Sequence, residues 1–471
     1  TLFRSGFQLL QHIYGEDRFP APGQLTQPSI CVAEELTPSQ FLELDKTLLK
    51  GLLLQSGGTT SHTVILARSF NIPTLVGVEI EALTPWQNQP VYLDGNAGAV
   101  IVAPTEAISR YYQQEARVQA AIREQQSVWL HKEARTADGI RLEVAANIAH
   151  SVEAQAAFGN GAEAVGLFRT EMLYMDRASE PSESELYNIF CQALESAEGR
   201  SIIIRTMDIG GDKPVDYLNI PAENNPFLGY RAVRIYEEYS ALFTTQLRAI
   251  LRASAHGSLK IMIPMISSME EILWVKEKVA EAKQQLRSEH VPFDERIPLG
   301  IMLEVPSMIF MLPNLANRVD FISVGTNDLT QYVLAVDRNN TRVASMYDSL
   351  HPGMIRVLSM IVQEADRYGI DLRLCGEMAG DPMCVTILVG LGFRHLSMNG
   401  RSVARVKYLL RNIDLEDAET LARRSLDAQM ATEVRHQVAA FMERRGLGGL
   451  IRGGLLATRR TLPDSATLVR P

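Results

Sequence analysis

The chain has 471 residues, enough for more than one domain with its own core. With 46% hydrophobic and 21% charged residues it has an ordinary globular composition, and no run is long enough to span a bilayer, so no direct membrane insertion is expected. A formal charge of −9 argues against a general nucleic-acid binder, and it means that a small anionic substrate would need a local basic pocket.

Residues 1–30 read as loop, with Pro20, Pro22, Gly23 and Pro28. Short strands are expected at Ile30–Ala33, Gly51–Leu54, Pro73–Val76, Val91–Leu93 and Ala99–Val102, the last two joined by a turn at Asp94-Gly95-Asn96. Between the second and third lies the run Gly57-Gly58-Thr59-Thr60-Ser61-His62, followed by apolar helical residues. Thr59, Thr60 and Ser61 are favoured helix caps, which puts His62 in the first helical turn. Unpaired N–H groups and the helix dipole favour phosphate there, and a neutral imidazole is a competent nucleophile. From these residues alone, a capping loop with an incidental histidine stays open.

Ala107 to about Ala134 is rich in Gln, Glu and Arg and free of Pro and Gly, the pattern of a long helix between domains. Strand–helix alternation follows. Strands are expected at Leu142–Asn147, Ala164–Phe168, Ile202–Arg205, Lys260–Pro264, Gly300–Glu304, Phe321–Val324 and Asp371–Leu374, with a weak eighth between Asn225 and Ile235. Eight such units suit a (β/α)8 barrel, with an open doubly wound sheet as the alternative. The tail 446–471 lacks periodicity and reads as flexible. The four cysteines (Cys31, Cys191, Cys375, Cys384) are sparse and irregularly spaced, which fits a reducing cytoplasm.

Barrel chemistry sits where strands end. There the sequence places Arg169 and Glu171, Arg205 and Asp208, Gly210-Gly211-Asp212-Lys213, Glu304, Asn327 and Asp328, Arg338, and Cys375. Arginine forks suit phosphate and carboxylate, and two carboxylates suit Mg2+, which completes its shell with water and substrate oxygens. Taken singly, each has a plainer reading: a surface arginine, a solvated carboxylate, a buried thiol. Glu171 and Asp208 could serve only to orient arginines.

The glycine–hydroxyl–histidine run and these strand ends resemble the phosphoenolpyruvate-utilising enzymes: Enzyme I of the bacterial sugar phosphotransferase system, pyruvate phosphate dikinase and phosphoenolpyruvate synthase. The resemblance extends from about Cys31 to about Arg445. It implies a swivelling phosphohistidine α/β domain (1–104, partial), a helical linker (105–135), a barrel binding phosphoenolpyruvate (PEP) (136–445) and a tail (446–471). It further implies that His62 becomes phosphohistidine and that Cys375 protonates the enolpyruvate carbon as pyruvate leaves. Arg169, Arg205 and Arg338 would contact substrate together with Asn327 and Asp328. Glu304 and Asp328 would hold Mg2+, with Arg231 and Lys213 in support. Implied partners are PEP, pyruvate and an HPr-type phosphocarrier, in a cytoplasmic homodimer joined through the barrel. A dikinase or synthase is the alternative, but 61 residues before His62 leave no room for an ATP-binding domain. They also leave no room for the helical subdomain with which Enzyme I docks HPr, so a fragment or part of a longer multiphosphoryl transfer protein is expected.

Overall fold

The computed structural model describes residues 25–451 and 468–469, apart from 57–62, 65–66, 68–69, 71, 84, 86–88, 96–97, 176, 222 and 341. The chain divides into two compact units, Thr1–Ala121 with Arg452–Pro471, and Ile122–Ile451.

In the first unit, β1 (Ser29–Ala33), β2 (Leu49–Leu54) and β3 (Thr74–Val76) form a parallel sheet with β2 in the middle. The central strand Leu-Lys-Gly-Leu-Leu-Leu is apolar on both faces because both are covered. Leu52 and Leu54 join Phe41, Leu44, Val64 and Ile72, while Leu53 joins Val78, Val100 and Val102. That second cluster joins the sheet to the antiparallel pair β4 (Val91–Asp94) and β5 (Ala99–Val102). The five strands expected from sequence are present, with small changes at their ends. The segment read as a flexible tail is partly ordered among the described residues: Gly448–Leu450 is a 3-10 turn, and β14 (Leu468–Val469) pairs antiparallel with β5. The histidine run, including His62, lies outside the described residues.

The helix read as a linker runs from Glu106 to Ser127 and stops seven residues short of the expected Ala134. Twenty-two residues at 1.5 Å each make it about 33 Å long.

The second unit is a closed barrel of eight parallel strands: β6 (Glu143–Ile148), β7 (Val165–Arg169), β8 (Ile202–Arg205), β9 (Leu259–Ile263), β10 (Leu299–Leu303), β11 (Phe321–Val324), β12 (Leu372–Cys375) and β13 (His395–Asn399). Seven match the expected strands. The eighth is a correction: residues 225–235 form two 3-10 turns, Pro226–Leu228 and Ala232–Ile235, and β13 closes the barrel instead, pairing with both β12 and β6. The Asn225–Ile235 segment belongs to a long excursion after β8, and its Arg231 pairs with Asp208.

Period-two alternation divides the strand residues between two cores. Leu167, Ile203, Met262, Met302, Phe321 and Cys375 form a cluster of their own, the lumen layer. Ile204, Ile261, Ile301, Leu303, Ile322, Val324 and Leu374 join the larger core beneath the helices. Gly300, paired with Phe321, makes room for that ring: a Cβ there would lie 2.5 Å from it. Serine caps start two of the covering helices. Ser182 and Ser268 each close a capping box with the glutamate three residues on, Glu185 and Glu271. Among the described residues no helix is long and apolar enough to cross a membrane.

The helices Pro382–Leu391 and Leu415–Asp427 pack backbone to backbone because Gly390 faces the Ala418 carbonyl, where any Cβ would overlap it. Gly390→Ala is expected to cost about 2 kcal/mol through forced separation and to lower the thermal midpoint by roughly 4–8 °C. A midpoint equal to wild type in a calorimetric scan contradicts this packing.

Candidate active site

Alternation carries the inward-facing parity of each strand to its C-terminal end. Leu167 and Ile203 point into the lumen, so Arg169 and Arg205, two residues on, do the same and stand opposite one another in register. Met302 leads likewise to Glu304, and Cys375 is itself a lumen residue. Asn327 and Asp328 lie in the first turn of the helix Thr326–Leu334, which follows β11. The barrel thus brings Arg169, Arg205, Glu304, Asn327, Asp328, Arg338 and Cys375 to one end.

Two adjacent guanidiniums repel unless anions separate their charge. Glu171 accepts from Arg205 Nη2 at 2.7 Å and from Lys213 Nζ at 3.2 Å. Asp208 takes Lys213 at 2.6 Å, lies 3.1 Å from Arg205 Nη2, and receives three bonds from the Arg231 fork at 2.8–3.1 Å. Arg231 and Asp208 are each 1% exposed. Burial alone would push both acids up, yet Arg205 and Lys213 hold Glu171 at about 2, and Arg231, Lys213 and Arg205 hold Asp208 well below the carboxylate range. Arg205 and Arg231 are therefore fixed and charged before any ligand arrives.

The other side of the site is electrostatically opposite. Glu304 is fully buried, and its Oε1 accepts the Met265 N–H at 2.7 Å. Burial, then the Asp328 and Asp208 carboxylates, push it up to about 8. Asp328 pairs with Arg338 at 2.9 Å and stays below its usual pKa despite burial, owing to Arg338 and Arg231. The Asn327 side-chain carbonyl accepts the Glu377 N–H at 3.1 Å, which ties the ends of β11 and β12 together. One ring, Phe227, lies under both Arg338 and Arg231, 5.5 and 5.9 Å from their guanidinium carbons.

Two family models match the chain: that of the PEP-utilising enzyme, PEP-binding domain, over residues 123–415, and that of the PEP-utilising enzyme, mobile domain, over residues 25–98. The chain belongs to the PEP-utilising enzymes. Multiphosphoryl transfer protein 2 of Escherichia coli is 70% identical over 435 residues, which is 92% of this chain and 52% of that protein. Proteins named phosphoenolpyruvate-dependent phosphotransferase system, from Salmonella typhimurium and Escherichia coli, are 49% and 47% identical over 452 residues, 96% of this chain and 60% of theirs. The chain thus spans only about half of the curated relatives it matches.

This PEP-utilising barrel also holds its site with residues that sequence reading missed. Ser323 donates to Cys375 Sγ at 3.1 Å from the neighbouring strand. It shares the inward parity of Phe321, so alternation alone could have found it. Gln246, buried on the helix Ser240–Ala253, donates to Thr170 and accepts the Met207 N–H, both at 2.9 Å, and so joins the ends of β7 and β8. Neither Gln246 nor Phe227 stands in any motif that would mark it.

Burial pushes the Cys375 thiol up to about 11, against the pull of the Ser323 hydrogen bond toward thiolate. Iodoacetamide alkylates thiolate, so labelling of Cys375, followed by peptide mass mapping, should rise about tenfold per pH unit from about 7 to 10. Ser323→Ala removes the bond that favours thiolate and should slow labelling at each pH. A rate that levels off below about pH 9, or one that Ser323→Ala leaves unchanged, contradicts this assignment.

Proposed function

We propose that the chain takes the phosphoryl group of PEP onto His62, releases pyruvate, and passes the phosphate to a histidine of an HPr-type carrier, the first step of the sugar phosphotransferase system. One observation carries this reading: immobilised guanidiniums, a pair of buried carboxylates and a protonated thiol share one end of the barrel. PEP joins a phosphate and a carboxylate on three carbons. Arg169, Arg205 and Arg338 would bind those anions, with Asn327 beside them. The anchoring of Arg205 by Glu171 and Asp208, and of Arg338 by Asp328, reduces the cost of reorganising them as charge develops.

A His62 ring nitrogen attacks phosphorus in line, the P–O bond to the enol breaks, and the electron pair leaves with the enolate. Cys375 S–H gives its proton to the methylene carbon, forming pyruvate, and the thiolate regains a proton from water. A thiol with its pKa near 11 is protonated at neutral pH, as this role requires. The Glu377 N–H and the Ser323 hydroxyl hold Asn327 and Cys375 in place.

The donor set suits Mg2+. Glu304 and Asp328 are both buried, and the repulsion that raises Glu304 is the charge a divalent ion would cancel. Among the described residues no group of three or more His, Cys, Asp or Glu forms a metal cage, so water and substrate oxygens would complete the shell. When bound, Mg2+ would neutralise phosphate and enolate oxygens. By the same resemblance we infer a homodimer through the barrel. Exposed Leu228 and Phe310 offer apolar surface that a second copy would cover.

Incubation with labelled PEP and Mg2+ should place one acid-labile, base-stable phosphate per chain on His62, and none on His62→Ala. Added HPr-type carrier should remove it. Arg169→Ala or Arg205→Ala should each slow incorporation by roughly 10²–10³-fold, the loss typical of one electrostatic contact to a transition state. Label elsewhere than His62, or full rates in the arginine variants, would sink this reading.

A further inference from the structure

Lys407 is a buried charge far from the phosphate chemistry. It stands on the helix Ser402–Leu410 and is 2% exposed. An ammonium can be buried only if its N–H groups are satisfied. Here Nζ donates to the backbone carbonyls of Leu130 at 3.1 Å and Lys132 at 2.8 Å, and pairs with Glu163 Oε1 at 3.1 Å. Glu163, two residues before β7, also accepts the Ala134 N–H at 2.8 Å and pairs with Arg141 at 2.7 Å. One turn beyond Lys407, Arg411 donates to the Glu133 carbonyl at 2.6 Å and lies 5.3 Å from the Trp129 ring centre. Gly161, in the left-handed region at φ 87°, lies so close to the Leu130 carbonyl that no Cβ would fit.

Apart from the pairing of Glu163 with Lys407 and Arg141, these grips fall on residues 129–134, and most are on main-chain atoms. They lie at the N-terminal rim of the barrel, the end opposite the strand ends that carry the site. The long linker helix stops at Ser127, just before the first gripped residue.

Resting on the reading in which His62 travels to the barrel, we propose that Lys407 and Glu163 clamp the foot of the linker. They would act as positioning residues that fix the pivot of the swinging unit between Ser127 and Leu130. A pivot pinned by carbonyl contacts lets the chain bend just before it without letting the foot slide. The about 33 Å arm would turn a small slip at the foot into a large misplacement at its far end. In-line transfer tolerates little of that, since a displacement of about 1 Å can cost on the order of 10²-fold in rate.

The test uses the full chain. Lys407→Met keeps the apolar stem and removes the three bonds. Single-turnover incorporation from labelled PEP should slow about tenfold or more. PEP affinity, measured by calorimetry in a His62→Ala background, should be unchanged, and hydrogen exchange should quicken at the Ala134 amide. Arg411→Ala, at a half-buried position, should give the same split with smaller amplitude, and it decides the matter if Lys407→Met does not fold. An unchanged incorporation rate overturns the proposal. So does an equal loss of affinity and rate, which would make Lys407 a general support of the barrel. If the wild-type chain itself takes up no phosphate, the functional reading has failed before the clamp is tested.

Discussion

The forked pairing of Asp208 with Arg231, both buried, is the constraint on which the site depends. The barrel sets Arg169 and Arg205 side by side, an arrangement that repels and would splay if left alone. Asp208 and Glu171 absorb that repulsion, and Lys213 links the two acids. Breaking such a buried pair typically costs about 3–5 kcal/mol, because the remaining charge is stranded. What the arrangement contributes is geometry: guanidinium groups aimed and desolvated before an anion arrives. The long excursion after β8 exists to bring Arg231 back over the strand ends. Gly210 and Gly211, both at positive φ, let it turn closely enough that Gly210 bridges to Arg231.

Charge is sorted across this end of the barrel. Glu171 and Asp208 are held ionised by cations, whereas Glu304 and Asp212 are pushed toward their protonated forms by burial and neighbouring acids. A trianionic substrate and a divalent cation would therefore meet opposite sides of one site. On the proposed function, this division is how a chain of net charge −9 would attract so anionic a molecule as PEP.

Much of this was legible in the sequence because alternation survives to the strand ends. Once Ile202–Arg205 is a strand with Ile203 inward, Arg205 must face the lumen, and the same reasoning places Arg169, Glu304 and Cys375. The closing strand was not legible. His395-Leu-Ser-Met-Asn399 has no β-branched residue, and it becomes a strand because β12 and β6 both offer it a free edge. Asn225–Ile235 looked more like a strand locally but has no edge to join. The partners Gln246, Phe227 and Lys407 were invisible for a related reason: each has site or linker contacts dozens to hundreds of residues away in sequence. His62 was conspicuous in the sequence, and its role rests on motif and chemistry.

The most direct test is PEP binding to Asp208→Asn in a His62→Ala background with Mg2+, by titration calorimetry, with a thermal scan to confirm the fold. Asparagine keeps the shape and removes the charge that anchors Arg231, Lys213 and Arg205. The account predicts a folded barrel whose PEP affinity falls by at least about tenfold, the loss of one charge-assisted contact. Undiminished affinity in a folded Asp208→Asn barrel would contradict it.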